Sequence, residues 1–361
     1  MKKLLTLLLS LTLVVSMLAA CGKSDNAADP TPTTKAEATK APATTAPTQA
    51  PATGDAAKTG LAVVSSIAKS TPAGDKDGLA EVDSTVVAVL VGADGKILAC
   101  KIDASQAKIN FSKAGKLVTD KATTFKSKQE LGAEYGLGKA SGIKKEWNEQ
   151  ADAFAQYVVG KTVDEVKGIA VNAEGVATAA DLTSSVTIHI GDFIAGVEKA
   201  VANAQDLGAK STDKLGLALT TDMGQSADVA ADKEGLAQAY SYYTAVTTAD
   251  GKLTSCFIDA SQGNVNFDAK GAITTDLKTA PQTKQELKDA YGMKKASKIG
   301  KEWFEQANSF AKYVTGKTAD EVKGIAVAEG LATDADLVSS VTVHVAPFMT
   351  VVDKAIANSA K

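Results

Sequence analysis

The sequence predicts an α+β protein made of two tandem copies of one domain, each an antiparallel meander with helices packed on one face. Three observations carry this. Residues 60–204 return as 216–361 at a shift of 156, which falls to 155 after a one-residue deletion near Val171; 30 of the 45 positions from Lys126 to Ala170 are identical. Each copy opens on short runs rich in β-forming residues around Asp-Gly turns and closes on apolar residues at helical spacing. A chain of 361 residues, 45% apolar, has material for two cores of this kind. A repeat this long gives globular domains rather than a solenoid. Residues 205–215 between the copies are short and polar, so the domains are expected to touch or to swing within a limited arc.

In the first copy Ser84 to Val91 and Lys96 to Ile102 form a hairpin around Asp94-Gly95. In the second, Tyr242 to Val246 and Lys252 to Ile258 do the same around Asp250-Gly251. A further hairpin is predicted from Lys108–Phe111 to Lys116–Val118, matched by Asn264–Phe267 and Ala272–Thr274. Ile143, Trp147, Ala151, Phe154 and Val158 share a helical face that stops at Gly160; Ile299, Trp303, Ala307, Phe310 and Val314 repeat it. On such a face each Trp belongs to the core. Thr162 with Glu165, and Thr318 with Glu321, read as capping boxes opening a short helix. Asp192 is placed to cap a last helix with Phe193, Val197, Ala200 and Val201 to one side. Its counterpart has Pro347 near its first turn and Phe348, Val352, Ala355 and Ile356 as the same stripe.

Residues 1–20 read as a lipoprotein signal peptide: Met1-Lys2-Lys3, an apolar run from Leu4 to Met17, then Leu18-Ala19-Ala20 before Cys21. Cys21 is the expected lipidation site, and two acyl chains on its diacylglyceryl group suffice for stable anchoring. Residues 21–59 are Ala, Thr, Pro and Lys and hold five of the eight prolines. They are expected to form a disordered tether spanning roughly 30–35 Å as a coil. The mature chain is thus expected on the outer face of the cytoplasmic membrane, in a Gram-positive envelope.

A formal charge of −3 and no Lys-rich stripe interleaved with aromatics exclude nucleic acid as an obvious partner. Arg is absent, so a phosphate ligand would be held by Lys, hydroxyls or backbone amides. Gly160-Lys161-Thr162 imitates the end of a phosphate loop, but Ala155 stands where its first glycine belongs, and a helix ends there instead of beginning. Cys100 and Cys256 occupy equivalent strand positions and are expected as buried free thiols. Two histidines and no Cys-x-x-Cys leave no metal site to propose.

The candidate site is a motif that occurs twice. Asp181-Leu182-Thr183-Ser184-Ser185-Val186-Thr187-Ile188-His189-Ile190 returns as Asp336-Leu337-Val338-Ser339-Ser340-Val341-Thr342-Val343-His344-Val345, and both histidines of the chain lie in it. Read as a strand, it puts Val186, Ile188 and Ile190 toward the core and Ser185, Thr187 and His189 on the other side. That polar row either binds a ligand or is the exposed side of an ordinary strand. Asp181, Ser184 and His189 do not make a catalytic triad, because residues alternating along one strand stay about 3.3 Å apart per residue and point in parallel.

The spacing Asp181-x-x-Ser184-Ser185-Val186-Thr187 resembles the attachment motif of the FMN-binding domain family: Asp, any two residues, Ser or Thr, Gly, Ala, then Ser or Thr. Ser185 and Ser340 stand where that pattern has Gly, and Val186 and Val341 where it has Ala. The resemblance implies FMN as cofactor, covalent or non-covalent, with Thr187 and Thr342 as acceptors of a phosphoester installed by a flavin transferase. Asp181, Ser184, Ser185 and His189, with Asp336, Ser339, Ser340 and His344, would support the two motifs. Lipobox, tether and tandem domains also resemble extracellular lipoproteins of that family, which carry electrons from a membrane donor. Two functions therefore stand side by side: an anchored extracellular electron carrier, or a non-catalytic surface binding or structural lipoprotein that holds no flavin. Neither is a hydrolase.

Overall fold

The structure, a computed structural model, describes residues 54–361. The signal peptide, the lipidation of Cys21 and the tether as far as residue 53 lie outside the described residues. The described residues belong to one compact unit. In its first half β1 (Ala57–Ser66), β2 (Gly78–Gly92) and β3 (Ile97–Phe111) make an antiparallel sheet in sequence order. β1 takes in Ala57 to Thr59, residues expected in the tether. The two predicted hairpins are one long hairpin: β2 and β3 pair from Gly78↔Phe111 to Val91↔Ile97 with one register shift between Leu90 and Val91, and Leu117 adds only an isolated bridge to Phe111.

A two-residue strand, β4 (Thr124–Phe125), then crosses to pair with β5 (Lys214–Asp222) of the second half, where β6 (Gly235–Ala249) and β7 (Lys252–Phe267) repeat the long hairpin. Both faces of each sheet are apolar. Leu61, Val63, Val86 and Ala88 lie in one buried cluster, whereas Ala62, Val87, Val89 and Ile102 lie in another. A sheet with two dry faces needs a cover on each, which explains why the run Ser84–Val91 shows no clean alternation.

Helices provide one cover. The first half carries α1 (Lys128–Leu131), α2 (Trp147–Tyr157), α3 (Val163–Lys167), α4 (Ala180–Thr183) and α5 (Gly191–Ala202). The second carries α6 (Lys284–Leu287), α7 (Trp303–Val314), α8 (Ala319–Lys323), a hairpin of β8 (Val327–Ala328) and β9 (Leu331–Ala332), α9 (Ala335–Val338) and α10 (Ala346–Ser359). The capping boxes at Thr162 and Thr318 are formed. α5 starts at Gly191 with Ile190 at its cap position, so Asp192 sits inside the first turn rather than capping it. α5 lies so close to β1 that a Cβ on Gly60 would stand 2.0 Å from the Ala200 carbonyl oxygen, and Gly216 meets Ala355 in the same way at 2.1 Å.

The other cover is the opposite half. Leu61, Val63 and Val86 pack with Leu217, Leu219, Tyr243 and Phe257, and Phe111 stacks on Phe267 with ring centroids 4.2 Å apart. The contacts are reciprocal. Ala73 N–H donates to Gly271 O at 2.8 Å and Val229 N–H to Gly115 O at 2.9 Å; Lys199 Nζ meets Glu286 at 2.5 Å and Lys354 Nζ meets Glu130 at 2.6 Å. The connecting residues begin against the first sheet: Gln205 and Thr59 exchange both backbone hydrogen bonds at 3.0 Å, so the link starts along the edge of β1.

Candidate functional site

The repeated motif is not a strand. Asp181 lies in α4, Ser184 is the residue that ends that helix, and the chain turns through Ser185 to reach Thr187 before α5. The reason is in the apolar spacing. Leu182, Val186 and Ile190 are all buried at intervals of four, as are Leu337, Val341 and Val345, while Ile188 and Val343 are only half-buried. The interval of four that a turning chain buries outweighs the interval of two that suggested a strand. Ser185 and Val186 both donate their backbone N–H to Leu182 O, at 3.0 and 2.9 Å, and close the turn.

This turn puts Thr187 on an exposed shoulder and its hydroxyl on a buried partner. Thr187 N–H and Oγ1–H both donate to Gln150 Oε1, at 2.8 and 3.2 Å, and Gln150 is wholly buried in α2. Gln150 Nε2 donates in turn to Ser141 Oγ and to Lys145 O, tying down the loop before α2. Thr342 repeats the arrangement with Gln306 at 2.8 and 3.2 Å, and Gln306 Nε2 holds Ser297 and Lys301 O. The two departures from the family pattern turn away from the hydroxyl: Val186 goes into the core, and Ser185 Oγ donates back to Leu182 O at 3.1 Å. Ser340 Oγ does likewise to Leu337 O, and Ser339 Oγ to Asp336 O.

The remaining motif residues are scattered. Asp181, Ser184 and His189 are exposed on different parts of the turn, and His189 forms an isolated bridge to Val176 as His344 does to Leu331. The histidines hold a neighbouring turn by their backbones. Cys100 and Cys256 are free and buried, and burial pushes both thiols up to about 12. Trp147 and Trp303 are core residues, each edge-on to the phenylalanine that opens the last helix, Phe193 at 5.7 Å and Phe348 at 5.6 Å.

Several groups around the site escape a reading of the motif alone. Gln150 and Gln306 carry a faint signal, a polar residue on an otherwise apolar helical face at the same place in both copies. Asp103 and Asp259 sit buried in β3 and β7, each accepting N–H groups from the next residue and from Gln129 or Gln285. Burial lifts the Asp103 carboxyl to about 6 and that of Asp259 to about 7, against those hydrogen bonds. Each aspartate borders a cleft between the halves: about 370 Å³ with Lys101, Glu130, Lys354 and Asn358, and about 310 Å³ with Lys199, Asn203, Glu286 and Lys288. Lys284 is 2% exposed among Tyr240, Tyr291 and Trp303, and burial lowers its ammonium to about 7 against the pull of Asp259.

No family model matches the chain, and no solved structure matches it. A segment of 42 residues is 52% identical to a chlorophenol reductase of Desulfitobacterium hafniense, covering 12% of this chain and 13% of that protein. The similarity is thus confined to a small part of either chain. Among the described residues no helix is long and apolar enough to cross a membrane.

Proposed function

We propose that this chain is a lipid-anchored extracellular electron carrier, fastened through Cys21 and holding FMN at the motif threonines. The observation that supports this reading best is the hydrogen bond from a motif threonine hydroxyl to a wholly buried glutamine, made by the exposed Thr187 to Gln150 and by the half-buried Thr342 to Gln306. A buried amide that accepts from both the backbone N–H and the hydroxyl fixes Oγ1 at one place on the surface, as an attachment point for a prosthetic group requires. The adjoining loops supply Lys139, Lys144 and Lys145, or Lys294, Lys295, Lys298 and Lys301, which serve a phosphate in a chain without arginine. Val186 and Ser185, turned inward, leave Oγ1 unobstructed. Bound FMN would supply reversible uptake of electrons, which asks little acid–base chemistry of the protein. The short likeness to a protein named as a reductase is in keeping with a redox role.

A second reading, a surface binding module without flavin, rests on the twin charged clefts between the halves. Co-expression of the full chain with a flavin transferase, followed by intact mass and peptide mapping, separates the two. The first reading expects an FMN adduct on at least one motif threonine, lost when that residue is changed to Ala. An unmodified, colourless chain overturns it.

A further inference from the structure

The loop between α6 and α7 is more basic than its counterpart between α1 and α2. Residues 288–301 hold Lys288, Lys294, Lys295, Lys298 and Lys301 against one acid, Asp289, whereas residues 132–145 hold Lys139, Lys144 and Lys145 against Glu134. Three of the five lysines, Lys288, Lys294 and Lys298, stand where the first copy has Gly132, Gly138 and Gly142. Lys288 keeps the backbone of the glycine it replaces, with φ 47 and ψ −121 against φ 47 and ψ −122 at Gly132. A side chain is disfavoured in that conformation, and residues held against such a preference gather at functional sites.

The lysines have no acid to serve. Lys288, Lys294, Lys295 and Lys298 are exposed and Lys301 is half-buried, and none of the five is in an ion pair among the described residues. Glu302 is buried and accepts instead from the backbone, from Met293 N–H at 2.8 Å and Lys294 N–H at 2.9 Å. The threonine motif does not require the added charge either. Gln150 holds Thr187 at the same two distances as Gln306 holds Thr342, although the first loop has glycine at three of the five places.

We propose that the loop 288–301 docks a linear phosphate-bearing polyanion without bases. Its charge selects an anion, and lysine ammoniums serve phosphates as point charges that ask no fixed geometry of a flexible chain. A protein partner would need an apolar anchor, but Tyr291, Met293 and Ile299 are half-buried and the loop exposes no large hydrophobic side chain. The same lack leaves nothing on which nucleic-acid bases could stack. On the reading of a Cys21 anchor, a bilayer is at the wrong end. α7 runs from this loop towards Gly316, whose N–H donates to Leu253 O at 2.7 Å; nearby, Ser255 Oγ meets Thr59 Oγ1 at 2.6 Å, where the chain enters β1. The basic loop lies at the other end of that helix, about 18 Å away.

Titration of the full chain with poly(glycerol phosphate) tests this, and binding should persist at about 150 mM salt. If all five lysines meet phosphates, each adds about 0.7 to the log–log salt slope, so affinity should fall roughly a hundredfold between about 50 and 200 mM. Lys288→Gly with Lys294→Gly and Lys298→Gly, which restores the residues of the first copy, should cut that slope to about 1.4. Lys288→Gly alone should weaken binding while raising the unfolding midpoint, because glycine relieves the backbone. Lys76→Ala with Lys113→Ala and Lys270→Ala, an equal loss of charge from exposed places elsewhere, should leave binding unchanged. No binding at about 150 mM salt, or equal weakening by the two triple variants, overturns the docking surface. Polyglutamate bound as tightly as the phosphate polymer, or preference for phosphatidylglycerol vesicles, overturns the polymer in favour of an acidic protein or a lipid surface. None of these probes carries flavin, so the outcome is independent of any threonine adduct.

Discussion

The two halves exchange the same crossed contacts, yet their sheets have diverged on both faces: toward the other half Tyr243 and Phe257 stand in the places of Val86 and Lys101, and toward the helices Tyr240 and Tyr242 stand in those of Asp83 and Thr85. The sheet interface is built from exchanged pairs: Phe111 on Phe267, Ala73 to Gly271 with Val229 to Gly115, Lys199 to Glu286 with Lys354 to Glu130. A contact made twice across an approximate two-fold constrains both copies at once, as in an isologous dimer. Positions outside these exchanged pairs carry no such double constraint, and there the two copies differ. β4 shows the same freedom. Phe125 extends the edge of β5, but its counterpart Pro281 has no N–H to give a ladder, and no strand is assigned there among the described residues.

The comparison breaks most easily at its centre. Phe111→Ala and Phe267→Ala each empty a fully buried ring, and each should lower stability by about 3–5 kcal/mol in urea unfolding. The two losses should match, and the double variant should lose less than their sum by about 0.5–1.5 kcal/mol, the part that belongs to the stack. Clearly unequal single losses would show that the interface is not the symmetric one described.

Much of this fold is legible in the sequence, and the exceptions have physical causes. The amphipathic α2 and α7, which open at Trp147 and Trp303 rather than at Ile143 and Ile299, and the capping boxes at Thr162 and Thr318 are local patterns and form as the sequence predicts. The length of β2 and β3 is hidden because their two faces are both buried, one against helices and one against the other sheet, which erases the alternation that marks a strand. The motif misleads in the opposite sense: Val186, Ile188 and Ile190 alternate by accident of Ile188, while burial follows Leu182, Val186 and Ile190. Gln150 escapes because its role depends on Thr187, 37 residues away, and no periodicity links the two.

A smaller effect separates the halves by pH. Asp103 and Asp259 both have folded carboxyls above the ordinary 3.8, so the stability each contributes is complete below about pH 4. It is lost as pH rises through about 6 for Asp103 and about 7 for Asp259. The halves differ because Lys354 offsets the burial of Asp103, whereas Glu286 adds to that of Asp259. Asp103→Asn and Asp259→Asn should both flatten the decline in stability between about pH 4 and pH 7, Asp259→Asn the more. Unfolding midpoints across that range measure it, and identical slopes for the two variants would contradict the asymmetry.

The least costly test concerns the crossed ion pairs. Lys199 and Glu286 have side chains 34% and 27% exposed, and Lys354 and Glu130 24% and 38%, so water and salt reach both pairs. Glu286→Gln and Glu130→Gln should each lower stability by no more than about 1 kcal/mol, and less at high salt. The lysines also bind backbone, since Lys199 Nζ donates to Val63 O and Lys354 Nζ to Leu219 O, both at 2.6 Å. Lys199→Met and Lys354→Met should therefore cost more than the glutamate changes, because each strands a backbone carbonyl as well as a carboxylate. That excess should persist in high salt, where the ion pair itself is screened. If lysine and glutamate variants fall equally and recover together with salt, the pairs act by charge alone and the carbonyl contacts within each half add nothing to stability.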